Sequence, residues 1–223
     1  MIKIKKKYKL ILFKKKNKLK LYKIYFKKNK KNKSIVIDFT SGKYNYRRKY
    51  NKKKELIVRA MRIKNKKKIT ILDSTAGFGK DSFVLASHGF KIFMIEKNFI
   101  IYKLLQDGLK RAYKDKKIGL WIKKNITLIN SNSIKLIKKK EIIPDIIYID
   151  PMFNNKKSKP KKDMFFLKKL LKKNNEQKIL KPAIKLAKNK VVVKRYLNAS
   201  YLKEKKPNHI LYGKKIRFDI YYK

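Results

Sequence analysis

From residue 69 onward, short apolar runs alternate with longer amphipathic segments, and this pattern constrains the fold more than any other feature of the 223-residue chain. Apolar runs bounded by polar turns are typical of buried strands, and the segments between them have the periodicity of helices. The predicted strands are 69–72, 91–95, 126–130, 145–150 and 190–194, with helices near 79–88, 99–114, 163–173 and 176–188 and a C-terminal antiparallel hairpin of 209–212 and 216–222. This order predicts an α/β fold with a doubly wound, mainly parallel sheet covered by helices on both faces.

The N-terminal part of the chain has a different pattern. Residues 1–33 are lysine-rich and low in complexity, yet their apolar residues alternate or cluster as strands do. The expected elements are strands at 10–13, 19–26 and 34–39 and a short helix at 54–63. We therefore expect a small basic α/β appendage, which carries strands, over residues 1–65 and the main domain over residues 66–223.

Composition excludes several classes of protein. The chain has no cysteine, which excludes disulfides, thiolate metal sites and cysteine nucleophiles, and with them the pyrimidine C5 methyltransferases that need such a nucleophile. Only His88 and His209 are present and the carboxylates are not clustered, so we expect no metal site. No apolar run approaches the roughly 20 residues of a membrane span, and no secretory signal is visible, so we expect a soluble, cytoplasmic protein with no membrane partner.

The charge of the chain indicates a nucleic-acid partner. Its 67 basic residues against 14 acidic ones give a formal net charge of +53. Only seven of the 67 are arginine, and a chain this rich in Lys, Asn, Ile and Tyr also fits biased codon usage, so we assign a function to only part of the charge. The remainder still predicts an RNA-binding surface whose affinity falls steeply with salt, because each neutralised phosphate releases counterions.

Polar side chains follow the ends of the predicted parallel strands. Asp73 follows the first strand, Glu96 the second, Asn132 and Ser133 the third, and Asp150 the fourth. In open α/β sheets, ligands bind outside the carboxyl ends of the strands, where the strand order reverses. Three of only 14 acidic residues at these positions therefore predict a binding site at this edge.

A tight glycine turn follows the first of these strands. In the segment 73–79, Gly77 and Gly79 permit close backbone approach, and the helix that follows offers free N–H groups. A dinucleotide fingerprint would need a third glycine, but Ser82 occupies that position. Glu96 comes seventeen residues after Gly79 and is placed to accept hydrogen bonds from both hydroxyls of a ribose. A loop that only needs two flexible residues, followed by a solvated glutamate, is the alternative interpretation.

The fourth strand ends in the motif Tyr148-Ile-Asp-Pro-Met-Phe153. A nucleobase amine is a poor nucleophile, so an enzyme must orient it and accept its hydrogen bonds as charge develops. Asp150 can accept one of them, Pro151 fixes the local backbone, and Phe153 offers a face on which a base can stack. The motif therefore favours an S-adenosylmethionine (SAM) enzyme that methylates a base. An Asp-Pro pair that merely ends a strand is the alternative.

Together these segments resemble the ribosomal RNA small-subunit methyltransferase J family over about residues 34–222. The resemblance is carried by segments 73–87, 107–113, 148–153, 191–195 and 217–221. It implies a Rossmann-like SAM-dependent methyltransferase fold, SAM as cofactor, and methylation of N2 of a guanosine in 16S ribosomal RNA of the small subunit. It also implies cofactor contacts, in addition to those expected from Asp73, Gly77 and Gly79, at Lys80, Asp81, Glu96, Lys97, Asn132, Ser133 and Asp150.

The chain departs from the family pattern at three of these positions. Lys80 and Lys97 stand where arginine is usual, and Asn132 stands where serine is usual. Lysine cannot reproduce a bidentate guanidinium contact, which predicts a weaker hold on the cofactor. Met152, where amine methyltransferases more often have a second proline, is shared with the family and does not indicate lost activity.

Candidate RNA contacts lie in two segments. Tyr44, Tyr46, Arg47 and Arg48 mix aromatic rings with guanidinium groups, which suits stacking and phosphate binding. The pair Lys194-Arg195 lies at the end of a strand on the cofactor side of the sheet and is expected to steer RNA toward Asp150. The lysine-rich loop 154–162 is expected to close over substrate, and a solvated loop is the alternative for residues 44–48.

Three other functions remain open on sequence alone. The amine target could be adenine N6 or belong to another RNA. The chain could also be a non-catalytic RNA-binding assembly factor that keeps the fold, a reading that the lysines at positions 80 and 97 allow. A nicotinamide-dependent dehydrogenase would use the same glycine turn and Glu96, but not the motif at Asp150.

Overall fold

The structure is a computed structural model that describes residues 8–25, 33–42, 46, 55–151 and 176–223. The strands are β1 (Tyr8–Lys15), β2 (Lys18–Tyr25), β3 (Lys33–Ile35), β4 (Thr70–Asp73), β5 (Lys91–Ile95), β6 (Ile126–Ile129), β7 (Ile146–Ile149), β8 (Lys190–Tyr196), β9 (His209–Tyr212) and β10 (Ile216–Tyr222). The α-helices are α1 (Leu56–Met61), α2 (Lys80–Ser87), α3 (Phe99–Ala112), α4 (Gly119–Asn125), α5 (Ser133–Lys139) and α6 (Leu180–Leu186). None of the helices in these ranges is long and apolar enough to cross a membrane.

The main sheet has seven strands in the order β6-β5-β4-β7-β8-β10-β9. The first five run parallel, and β10 pairs antiparallel with both β8 and β9. The chain reverses its direction of winding between the neighbours β4 and β7, which creates the switch point where ligands bind in such sheets. The predicted α/β fold with a doubly wound sheet and a C-terminal hairpin is confirmed.

Several helices differ from those that the sequence predicts. Helices α4 and α5 were not predicted, because each has only seven residues and shows little periodicity. The predicted helix at 176–188 is a 3₁₀ turn (Glu176–Ile179) followed by α6. The predicted helix at 163–173 lies outside the described residues.

Both faces of the main sheet are buried. Neighbouring residues of one strand enter different core clusters: Ile71 and Tyr148 pack on one face, and Leu72 and Ile149 pack on the other. Alternate side chains of a strand point to opposite faces, so near-continuous apolar runs are what a sheet covered on both sides requires. The core is therefore two layers separated by the sheet.

The N-terminal sheet β1-β2-β3 is antiparallel and packs on the main domain. Leu21 of β2 is fully buried in the same core cluster as residues of α3. Asp38 joins the two parts, because it accepts a hydrogen bond from Lys18 at 2.7 Å and lies 3.4 Å from the guanidinium of Arg111 on α3. The domain boundary near residue 65 stays a prediction, and the parts on either side of it share one core.

Candidate active site

The turn after β4 is built on two glycines in the left-handed region. Gly77 has φ 53° and Gly79 has φ 69°, and Gly79 is the N-cap residue directly before α2. A Cβ on Gly79 would lie 2.9 Å from both Leu105 Cδ2 and Met94 Cε, so any other residue would be strained and crowded there. The turn therefore brings the start of α2 close to the ends of β4 and β5, as the sequence predicted.

Asp73 organises this turn from inside. Its Oδ1 accepts a hydrogen bond from the Thr75 backbone N–H at 3.0 Å, and its Oδ2 accepts one from Ser82 Oγ at 2.5 Å. Burial raises the pKa of Asp73 to about 7, even though these hydrogen bonds favour the carboxylate. Ser82, which occupies the position of the third glycine in a dinucleotide fingerprint, thus has a role that the sequence did not reveal. The contact of Asp73 with cofactor remains a proposal.

Glu96 links the turn to the end of β5. Its Oε2 accepts a hydrogen bond from Gly77 N–H at 3.1 Å, and its Oε1 accepts one from Asn98 N–H at 2.7 Å. Burial raises the pKa of Glu96 to about 7, although these amides and nearby Lys97 favour the charged form. A carboxylate oxygen has two lone pairs, so each oxygen can still accept a ribose hydroxyl. Lys97 itself is exposed.

Asn132 and Ser133 lie where α5 begins, beyond the end of β6. Asn132 caps the helix, because its Oδ1 accepts hydrogen bonds from Ile134 N–H at 3.0 Å and Lys135 N–H at 3.3 Å. Ser133 Oγ donates to the Ser74 carbonyl at 2.5 Å. These contacts fix α5 against the turn after β4, and the contact of Asn132 with cofactor remains a proposal.

Asp150 stands directly after β7, beside the glycine turn. Its backbone N–H donates to Thr75 Oγ1 at 2.7 Å, so the turn after β4 holds the main chain of the reacting motif. Its side chain is 34% exposed, and Oδ2 accepts a hydrogen bond from Lys194 Nζ at 2.9 Å. Pro151 is buried behind it. Asp73, Glu96, Ser133 and Asp150 thus lie along one edge of the sheet, as predicted.

Lys194 also lies at this edge, and its side chain is partly buried. Its Nζ donates to Asp81 Oδ2 at 2.7 Å as well as to Asp150. The Tyr148 hydroxyl donates to the same Asp81 oxygen at 2.8 Å. The structure therefore places Asp81 and Lys194 in a network with Asp150, which the sequence did not predict because the three elements involved are far apart along the chain.

The remaining predicted contacts have different positions. Arg195 is 6% exposed, and its Nη2 donates to the Ser200 carbonyl. The expected contact with RNA would require this side chain to become exposed to solvent. Arg195 lies on the opposite face of β8 from Lys194, because side chains alternate along a strand. Lys80, the first residue of α2, is half-buried, and Tyr46 is exposed. Of the residues that the sequence singles out for the reaction or for RNA, those outside the described ranges are Tyr44, Arg47, Arg48, Met152, Phe153 and the loop 154–162.

The residues of this edge fit a cofactor that combines a cation with a ribose. Glu96 offers carboxylate oxygens at the end of β5, the glycine turn allows close approach, and Asp73 and Asp150 add acidic groups at the switch point. No group of three or more His, Cys, Asp or Glu side chains within the described residues is arranged to hold a metal ion. Fold and site together define the class of Rossmann-like, SAM-dependent methyltransferases.

Comparison with known proteins agrees with this class. The family model described as "Putative SAM-dependent methyltransferase" matches residues 1–223. The crystal structure of a SAM-dependent methyltransferase from Neisseria gonorrhoeae superposes with a TM-score of 0.72 at 28% identity, over 99% of this chain and 86% of that one. The cofactor is therefore SAM.

Sequence relatives narrow the class to one family. The ribosomal RNA small subunit methyltransferase J of Buchnera aphidicola subsp. Acyrthosiphon pisum (strain APS) is 45% identical over 202 residues, which are 89% of this chain and 82% of that protein. The protein of the same name from Mannheimia succiniciproducens is 38% identical over 84% of this chain and 76% of its own length. The chain belongs to the ribosomal RNA small subunit methyltransferase J family.

Proposed function

We propose that this protein transfers the methyl group of SAM to the exocyclic N2 amine of a guanosine in small-subunit (16S) ribosomal RNA. The observation that carries the proposal is the position of Asp150, at the switch point and between the glycine turn and Lys194. The names of the relatives support the RNA, and the family resemblance of the motif 148–153 supports the guanine amine.

The exposed part of Asp150 is suited to hold an amine. Oδ2 is engaged by Lys194, whereas within the described parts of the chain no hydrogen-bond donor contacts Oδ1. Oδ1 can therefore accept one N–H of the guanine amine, and the carbonyl of Asp150 or Pro151 can accept the other. Holding both hydrogens orients the nitrogen lone pair, which is otherwise delocalised into the ring.

The methyl transfer then needs little covalent chemistry from the protein. When bound, SAM supplies an electrophilic methyl group whose bond to sulfur breaks as the new N–C bond forms. Asp150 stabilises the positive charge that develops on the amine, and its Oδ1 or a water molecule takes up the proton that the nitrogen loses. Glu96 and the turn at Gly77 hold the ribose end, so that donor and amine meet in line.

The RNA is held by charge and by stacking. The net charge of +53 favours a polyanion, and Arg47, Arg48 and Phe153 remain the proposed contacts for phosphate and base. The ammonium group of Lys194 is paired with two carboxylates, which favours a role at the reacting edge over a contact with phosphate.

Incubation with methyl-labelled SAM and unmodified small-subunit RNA, followed by nucleoside analysis, tests the proposal. We expect label in N2-methylguanosine. Label in N6-methyladenosine would contradict the guanine target. Absence of label from a protein that still binds RNA would contradict the enzymatic proposal and indicate a non-catalytic assembly factor.

A further inference from the structure

We propose that Lys194 is a positioning residue whose ammonium group clamps Asp81 and Asp150, and so keeps the Asp150 carboxylate ionised and aimed at the amine. This inference rests on the proposed function, because it concerns the same site. It replaces the expectation that Lys194 contacts RNA.

The geometry of the clamp is that of a fixed bridge. Lys194 Nζ lies 2.7 Å from Asp81 Oδ2 and 2.9 Å from Asp150 Oδ2, and its side chain is only 24% exposed. The Asp81 end is fixed a second time, because the Tyr148 hydroxyl donates to the same oxygen at 2.8 Å. Because Asp81 is held by the buried Tyr148, the ammonium group that it binds can orient the carboxylate of Asp150, which is the more exposed of the two.

The charges around Lys194 require such a counterion. Four acidic or ionisable groups face it or one another across β4, α2 and β7: Asp73, Asp81, Tyr148 and Asp150. Burial raises the pKa of Asp150, the Lys194 ammonium opposes this, and the Asp81 carboxylate adds to it. Burial alone would lower the pKa of Lys194, but its two carboxylate partners raise it well above its ordinary value. The lysine therefore stays charged and favours the ionised form of Asp150.

Another lysine on the same strand shows what the two carboxylates add to the pKa of Lys194. Lys190 lies four residues earlier in β8, on the same face by strand alternation, and is 5% exposed. Its Nζ donates to the Arg62 carbonyl at 2.7 Å, and burial lowers its pKa. Lys190 is at the opposite end of the strand from Asp150, so it provides a matched control for the loss of a buried lysine.

The experiment compares Lys194→Met and Lys194→Arg with Lys190→Met. Methionine keeps the length of the side chain without its charge, and arginine keeps the charge. For Lys194→Met we expect kcat to fall about 100-fold, because Asp150 would be less often ionised and correctly oriented to accept the hydrogen bond and proton of the amine. The SAM Kd and the RNA KM should change far less than kcat, because Lys194 acts on the ligands only through Asp81 and Asp150 in this proposal. Lys194→Arg should recover at least about tenfold of the loss, and Lys190→Met should keep wild-type kcat while losing stability.

The pH profile separates positioning from a merely structural role. Because the ammonium favours ionised Asp150, its removal should raise the pKa of that carboxyl and move the acidic limb of the rate profile to higher pH by about one unit or more. Carbon-13 NMR titration of aspartate carboxyls should show the same shift for Asp150 without any need for turnover. If Lys194→Met folds poorly, the titration can be made on Lys194→Arg. That variant keeps the charge, so the Asp150 titration should stay near that of the wild type.

Two results would overturn the inference. One is Lys194→Met with wild-type kcat and an unmoved acidic limb. The other is a loss of SAM affinity as large as the loss of turnover, which would make Lys194 a cofactor contact. Failure of the proposed function looks different: the wild-type protein itself would methylate another base or none, and the carboxyl titration would still test the clamp.

Discussion

Strands β4 and β7 lie side by side, and both ends of this pair carry carboxylates. The pKa of the carboxylate at one end is lowered, and the pKa values at the other end are raised. At the amino end, Asp145 accepts hydrogen bonds from Thr70 N–H at 2.8 Å, Thr70 Oγ1 at 2.9 Å and Lys66 Nζ at 2.6 Å. Although burial alone raises it, these donors hold the pKa of Asp145 below its ordinary value. At the carboxyl end, burial raises the pKa of both Asp73 and Asp150.

The difference separates a charge that supports the fold from charges that the fold must tolerate. Asp145 ties the start of β4 to the start of β7, and the folded protein favours its ionised form. The acidic groups at the other edge lie close together, and Lys194 is the shared counterion of two of them, Asp81 and Asp150. Such an arrangement is typical of a functional site, where stability is given up for chemistry. Substitutions at the amino end should therefore change mainly the free energy of unfolding, and substitutions at the carboxyl end should change mainly turnover or cofactor affinity.

The largest effect is expected for Asp150→Asn. The amide keeps the size of the side chain but removes the charge that stabilises the developing cation, so kcat should fall about 1,000-fold. The SAM Kd should change less than about tenfold, since the remaining cofactor contacts are intact. Single-turnover methylation and isothermal titration measure the two effects. The exposed Glu141→Gln is the control, and a wild-type rate for Asp150→Asn would remove this residue from the mechanism.

Next in size is the loss of cofactor affinity for Glu96→Gln. An amide cannot accept ribose hydroxyls at both of its terminal atoms, so the SAM Kd should rise about 10- to 30-fold, or about 1.5–2 kcal/mol. The fall in kcat at saturating SAM should be far smaller. Asp115→Asn, which changes a carboxylate that only caps the turn at Lys117 and Ile118, serves as control. An unchanged Kd would show that Glu96 only braces the glycine turn.

Asp145→Asn should affect stability and not turnover. Loss of a charge-assisted network should lower the free energy of unfolding by about 2 kcal/mol at pH 7. Because the folded-state pKa lies below the ordinary value of 3.8, this stabilisation is present above pH 3.8 and is lost as pH falls further. Urea denaturation of both proteins at pH 7 and pH 3 should show the gap closing. A pH-independent gap, or a large fall in kcat, would contradict the assignment of Asp145 to the fold.

The smallest effect, and one of opposite sign, is expected for the stability of Glu96→Gln without cofactor. The pKa of Glu96 is about 7 in the folded protein against 4.5 ordinarily, so the folded state binds its proton more tightly and stability falls as pH rises between these values. Glutamine removes that cost, so the variant should gain about 1–2 kcal/mol relative to wild type at pH 8 and almost nothing at pH 4. Equal destabilisation of Glu96→Gln at both pH values would show that the ionised Glu96 carboxylate does not lower the free energy of unfolding.

Local patterns were enough to predict the frame of the site. The strands that end at Asp73 and Asp150 are apolar runs, and a glycine turn is visible without any long-range information. The partners of these residues were not visible. The hydrogen bond of Ser82 to Asp73 joins a helix to the strand before it, and that of Lys194 to Asp81 joins segments far apart in the chain. In both cases neither segment alone indicates its partner.

The sheet itself illustrates the same limit. The C-terminal hairpin was recognised from its turn, yet the position of β10 between β8 and β9 was not. Strand pairing order depends on contacts between residues far apart in sequence, which composition and period do not encode. Helices α4 and α5 were missed for a related reason, since seven-residue helices are stabilised by packing more than by their own propensity.

The sequence by itself determined the fold class, the family, and the four strand ends at which the polar residues lie. These follow from local periodicity, from turn residues and from linked motifs in a fixed order. Only the tertiary structure decided that Lys194 faces Asp81 and Asp150, that Arg195 on the other face of β8 is buried, and that Asp73 is held by Ser82. The physical reason is that ionisation and exposure depend on neighbours in space, which are set when distant segments pack together.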